Sequence, residues 1–389
     1  MINPRHFAHV IVVGVLAGIS TPGFAERAAP GEESRQIMHS VFDAIAYLLP
    51  LSVRDTATSS EWDRELIDSK LAVLRHSSTA LVAHAADQTP EFSLLAKSFD
   101  ATVHEIDASF KEEWPSYAYF SLMELTQHCV ACHSQQTSVA RGDFSQRLLA
   151  RVNTDTFDDS ELAQLYVATR QFDTALTTLE RKLLAPTQDA IDLDIAGIPL
   201  DYLSLALGVA AAPARADKLL HQFEQRADAP YYLKLRVAHW RARLRVLTPT
   251  LSSAPNLDFA RQLFTTATSE FRGTADRSAA IDDLVVISIL RRYIAAQAQA
   301  TGPAVAEAYY LLGIIALRTM EPKYSVPEME ILFASAIKAD PRGPFAEPSY
   351  VLLEEFGYVR DVPLARVEAT SKLIDMRELR RLSEPRKAP

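Results

Sequence analysis

Cysteine is almost missing from this chain: two residues in 389, three positions apart. A disulfide framework of the kind that staples small exported domains is thereby excluded. Glycine is scarce as well, at 12 residues, and no glycine-rich loop suited to cradling phosphate occurs. The C-terminal two-thirds carries no nucleophile motif and no helix-borne His/Glu metal pair. No apolar run reaches the ~20 residues that a bilayer span requires. Positive charge is in deficit, with 40 Lys and Arg against 49 Asp and Glu and a net charge of −9, so nothing points to nucleic acid as a partner. The deficit is local: from Glu26 to Asp143 there are 18 acidic and 9 basic side chains, and the remainder is close to neutral.

The chain is long enough for two or three cores. Its first 25 residues read as an export signal: Arg5 and His6, then an apolar run from Phe7 to Ile19, then small residues at Gly23 and Ala25. That run is too short for a membrane anchor, so cleavage after Ala25 and a soluble periplasmic product, with no membrane span in the mature chain, are expected.

The two cysteines lie in His128-Cys129-Val130-Ala131-Cys132-His133, a C-x-x-C-H run. On a helical turn this spacing presents two sulfurs to the two vinyl groups of one haem, and the following imidazole reaches the iron. The motif is therefore read as covalent attachment of one haem c, with Cys129 and Cys132 as thioethers and His133 as proximal ligand. Three rivals remain. A zinc site would need four ligands and a second Cys or His pair. A thioredoxin-like dithiol would follow a strand, and a disulfide across two residues would be strained in a helix.

Around the motif the periodicity is helical. Met38, Val41, Phe42, Ile45, Leu48 and Leu49 form a stripe over 34–49 that Pro50 is expected to end. A second helix is expected over 61–86, capped by Ser59 or Ser60, and a third opens at Thr89-Pro90-Glu91. A fourth enters at Pro115 and carries Leu125, Cys129 and Cys132. Four amphipathic helices on short connections over 30–145 suggest an antiparallel bundle. With C-x-x-C-H near the end of its last helix, this region resembles the cytochrome c-prime group.

The resemblance implies a haem packed in the bundle beside the first helix. Its distal face is either open to small gases or ligated by a methionine from that helix. Met38 lies on the inward stripe where such a ligand would originate, although methionine also serves simply as core filler. His39 sits at the edge of the stripe, and Arg35, one turn earlier, could meet a propionate or only water. His76, His84 and His104 are expected to be surface or packed residues, and His128 to face solvent.

From about Asp158 onward alanine and leucine recur at helical packing positions through 155–389. Two stretches resemble tetratricopeptide repeats, helix pairs of about 34 residues. The first has Tyr166, Ala175, Leu179 and Pro186. The second has Tyr309, Leu312, Gly313, Phe333, Ala336 and Pro341, interrupted near Lys323 to Pro327. Between them 202–224, 231–247 and 282–300 read as single helices. The fold expected is all-α, a four-helix haem bundle followed by a helical stack with a surface for a protein partner. A closed helical domain is the alternative.

Electron transfer to a redox partner is the leading function, and the acidic first third implies a basic docking surface on that partner. A gas-binding haem with an open distal face, and a peroxidase-like enzyme using His39 and Arg35, are the competing readings.

Overall fold

The computed structural model describes residues 32–52, 63–86, 89–111, 157–251, 253–270, 277–297, 300–319, 329–359 and 376–383, together with Leu125, His128, Cys129, Cys132 and His133. The expected export signal, the expected entry of a fourth helix at Pro115 and the Lys323–Pro327 interruption lie outside these residues. The protein is all-α, and none of the described helices is long and apolar enough to cross a membrane.

Helices α1 (Glu32–Ser52), α2 (Arg64–Ala85) and α3 (Pro90–Lys111) pack in sequence, α1 on α2 and α2 on α3. Pro50 does not end α1 but sits in its last turn. A proline forfeits its own N–H bond, yet the N–H groups after it can still close the turn. The cap of α2 is Asp63, whose side chain accepts from Leu66 N at 3.0 Å, rather than the Ser59-Ser60 pair. At α3 the Thr89 hydroxyl accepts from Phe92 N at 3.2 Å, with Pro90 at the first helical position.

Ile67, Leu71, Leu74 and Leu81 of α2 recur at helical spacing and meet Val41, Ile45 and Leu48 of α1 and Phe99, Val103 and Ile106 of α3 in one buried core. Arg75 bridges α2 to Asp107 of α3 at 2.7 Å, and Ser78 donates to Asp100 at 2.6 Å. Burial alone would raise the Asp107 carboxyl. The bonds from Lys111 and Arg75 outweigh it and hold the group below its ordinary value.

The second part begins with a helix pair, α4 (Asp159–Ala168) and α5 (Phe172–Leu184), followed by α6 (Ala190–Ile195). Asp158 and Glu161 form a reciprocal capping box at the start of α4. The stretch expected as one helix over 202–224 is broken. It comprises α7 (Ile198–Leu203), a π-helical continuation over Ser204–Val209, and α8 (Pro213–Glu224). Pro213 restarts the helix at its first position, after Ala211 turns the chain with φ 49°.

The remaining helices are α9 (Tyr231–Leu251), α10 (Leu257–Glu270), α11 (Ala280–Ala296), α12 (Pro303–Thr319), α13 (Met329–Ala339), α14 (Ala346–Val359) and α15 (Met376–Ser383). Helices α4 to α13 share a large core around Trp240, Tyr202 and Tyr309, all fully buried. Gly313 permits the closest approach of α12 to α13. A Cβ there would lie 2.6 Å from the buried Phe333 ring.

The two parts share packing. Leu165 of α4 belongs to the core of α1–α3. Leu94 and Leu95 of α3 join Met329, Phe333 and Ile337 of α13, Leu353 of α14 and Leu379 of α15 in a third core.

Candidate functional site

The motif lies where these cores meet. Cys129 packs against both the α1–α3 core and the large C-terminal core, while Cys132 packs against the third. Residues 128–129 and 132–133 are helical and half-buried, and the two cysteines are not joined in a disulfide. Burial pushes the Cys129 thiol up to about 12. Cys132 is likewise pushed up to about 12 by burial, with the neighbouring Cys129 and the Glu91 carboxylate adding to the effect. Thiolate chemistry of the dithiol oxidoreductase kind needs a depressed thiol, the opposite of what this environment provides.

His133 is held by a residue 35 positions away. Its Nδ1 is hydrogen-bonded to the carbonyl oxygen of Ala168, the last residue of α4. Carbonyls in the last turn of a helix have no partner within it, so this one is available to a side chain. A carbonyl only accepts, so Nδ1 carries the proton and Nε2 keeps its lone pair. Burial pulls the imidazole down to about 4. The Ala168 bond partly opposes this, and the positive charge of Arg170 pushes in the same direction as burial. At neutral pH His133 is therefore a neutral imidazole with a fixed tautomer, the state a metal ligand requires.

Met38 is half-buried on α1 and packs on the same core that Cys129 borders, whereas Arg35 and His39 are exposed. His128 does not face solvent as expected. Its Nε2 lies 3.0 Å from the Thr102 hydroxyl and its ring stands edge-on to Phe99 at 6.2 Å, which ties the motif to α3. His76 is exposed, and exposed His104 bonds the Asp100 carbonyl at 2.8 Å. Among the described residues no three His, Cys, Asp or Glu side chains are grouped so as to hold an ion by themselves. A zinc cage would need such a grouping.

Three contributors escape a reading of the sequence: the Ala168 carbonyl, Arg170, and the charged pair Glu91 and Arg291. Glu91 is buried, and it raises Cys132 and favours the cationic form of a desolvated Arg291. A backbone carbonyl carries no residue identity, so no motif could have revealed the first. No protein-family model matches the chain, and no curated protein or solved structure is significantly similar to it.

Proposed function

We propose that the protein is an exported c-type cytochrome that carries single electrons. One haem c is joined to Cys129 and Cys132 by thioethers and ligated by His133 through Nε2. The observation that carries this reading is the His133–Ala168 hydrogen bond, which leaves Nε2 as a free lone pair one residue after Cys132. The haem supplies an iron that cycles between ferric and ferrous states. Everything else falls to the chain. Cys129 and Cys132 fix the position of the group, Ala168 sets the orientation and tautomer of the imidazole, and the three surrounding cores exclude water. Met38 would offer its thioether from α1 as a further ligand, since its half-buried side chain lies on the core that Cys129 borders. With His133 and Met38 both holding it, the group would keep its protein ligands in both oxidation states, which suits electron transfer. The acidic first third steers a basic redox partner, and the helices after Asp158 dock a protein partner.

The test is to produce the chain with its export signal in a host that attaches haem to C-x-x-C-H sequences. The purified protein is expected to begin at Glu26, to carry the mass of one covalent haem, and to lose it in Cys129→Ser/Cys132→Ser. The ferrous protein should be low-spin and slow to bind carbon monoxide, and Met38→Ala should convert it to a high-spin, rapidly binding form. A product without covalent haem would end this reading. Rapid carbon monoxide binding by the unaltered protein would instead leave the distal face open and favour the gas-binding alternative.

A further inference from the structure

The loop that holds His133 is built in an unusual way. After α4, Gln171 N donates to Tyr166 O at 2.7 Å and Arg170 N donates to Val167 O at 2.9 Å. This is a Schellman closure, and its left-handed residue is nearly always glycine. Here the position is Arg170, with φ 60°. Among the described residues only Ala211 shares a positive φ without being glycine. A left-handed arginine is disfavoured, and such strain concentrates where function needs a particular side chain. The Arg170 side chain is half-buried, and it stands two residues after the carbonyl that accepts from the His133 imidazole.

We propose that Arg170 sets the redox potential of the iron held by His133, so that the C-terminal part of the chain forms part of the electron-carrying site. This rests on the haem reading above. One loop carries two opposed influences. The Ala168 carbonyl, accepting from Nδ1, makes the imidazole a stronger electron donor and favours ferric iron. Two residues later, a fixed cation disfavours positive charge on the metal and favours ferrous iron. Uptake of one electron from a protein donor lowers the charge at the iron by one, and Arg170 makes that step more favourable. Partial burial limits screening of this effect by salt.

The experiment is a potentiometric titration of the haem-loaded full-length protein, Arg170→Gly and Arg170→Lys, with thermal melting alongside. Glycine relieves the left-handed strain, so Arg170→Gly is expected to fold, to melt no lower than the parent, and to show a lower midpoint potential. Lysine keeps both charge and strain, and should stay near the parent potential. A merely structural role would move the melting temperature and leave the potential alone. A haem-loaded Arg170→Gly protein with unchanged potential overturns this role while the cytochrome reading stands. A parent protein without haem overturns both.

Discussion

The helices on either side of the motif share apolar packing but differ in the polar ties added to it. In α1–α3 the contact is a seam of leucine, isoleucine and valine, tied by the Arg75–Asp107 bridge and the Ser78–Asp100 bond. In the C-terminal part, arginines join one helix to the next repeatedly. Arg215 of α8 reaches Glu180 of α5 at 2.6 Å, Arg236 of α9 reaches Asp194 of α6 at 2.8 Å, and Arg241 of α9 reaches Glu224 of α8 at 2.6 Å. Arg261 of α10 reaches Glu307 of α12 at 2.6 Å, and Arg318 of α12 pairs with Asp283 of α11 where both are buried. Each pair adds a directional tie between one helix and its neighbour. These ties frame the C-terminal part, which begins with α4, the helix whose last carbonyl bonds His133.

The largest expected effect breaks that frame. Arg318→Leu strands Asp283 in the interior and should destabilise the protein by about 3–5 kcal/mol, read from urea denaturation. Arg318→Leu/Asp283→Leu should recover most of the loss. If the single variant is neutral, the pair is not structural and the contrast between the two parts fails.

The next effect belongs to the junction. In a Cys129→Ser/Cys132→Ser chain, burial holds His133 down to about 4 in the folded state against 6.5 when unfolded. The unfolded chain binds the extra proton between those values. Stability is therefore complete above pH 6.5, falls as the pH drops toward 4, and levels off below it, by up to about 3 kcal/mol. His133→Gln should lack this component, which is measured as the difference between the two denaturation curves across that range.

The smallest effect concerns the seam. Asp63→Ala removes the cap of α2 and should cost about 1 kcal/mol, while Ser59→Ala and Ser60→Ala should cost nothing comparable. Melting curves of the three variants decide which residue caps the helix.

Much of the fold was legible because helical periodicity is local. The stripes of α1–α3 and the helix pairs around Ala175 and Phe333 are written within their own segments. Where the reading failed, a nearby residue offered a competing signal. Ser59-Ser60 is a good cap in isolation, but Asp63 is closer to the first buried residue, Ile67. Within 202–224, alanine and leucine read as continuous helix although Pro213 marks a fresh start. The motif stands out in the sequence because it occupies six consecutive residues. Its surroundings were not, because Ala168 and Arg170 reach His133 only through tertiary packing. His128 was misjudged for the same reason, its partners Thr102 and Phe99 being on another helix.

Helix α3 has a consequence for how the molecule comes apart. Phe99, Val103 and Ile106 serve one core while Leu94 and Leu95, at the start of the same rod, serve another with α13, α14 and α15. Neither group can be released without pulling on the other, so heat should melt the whole chain as a single cooperative unit. A gene cut near residue 155 would not yield a self-sufficient small domain. It would yield a fragment with a sticky leucine flank and a histidine that has lost its anchor.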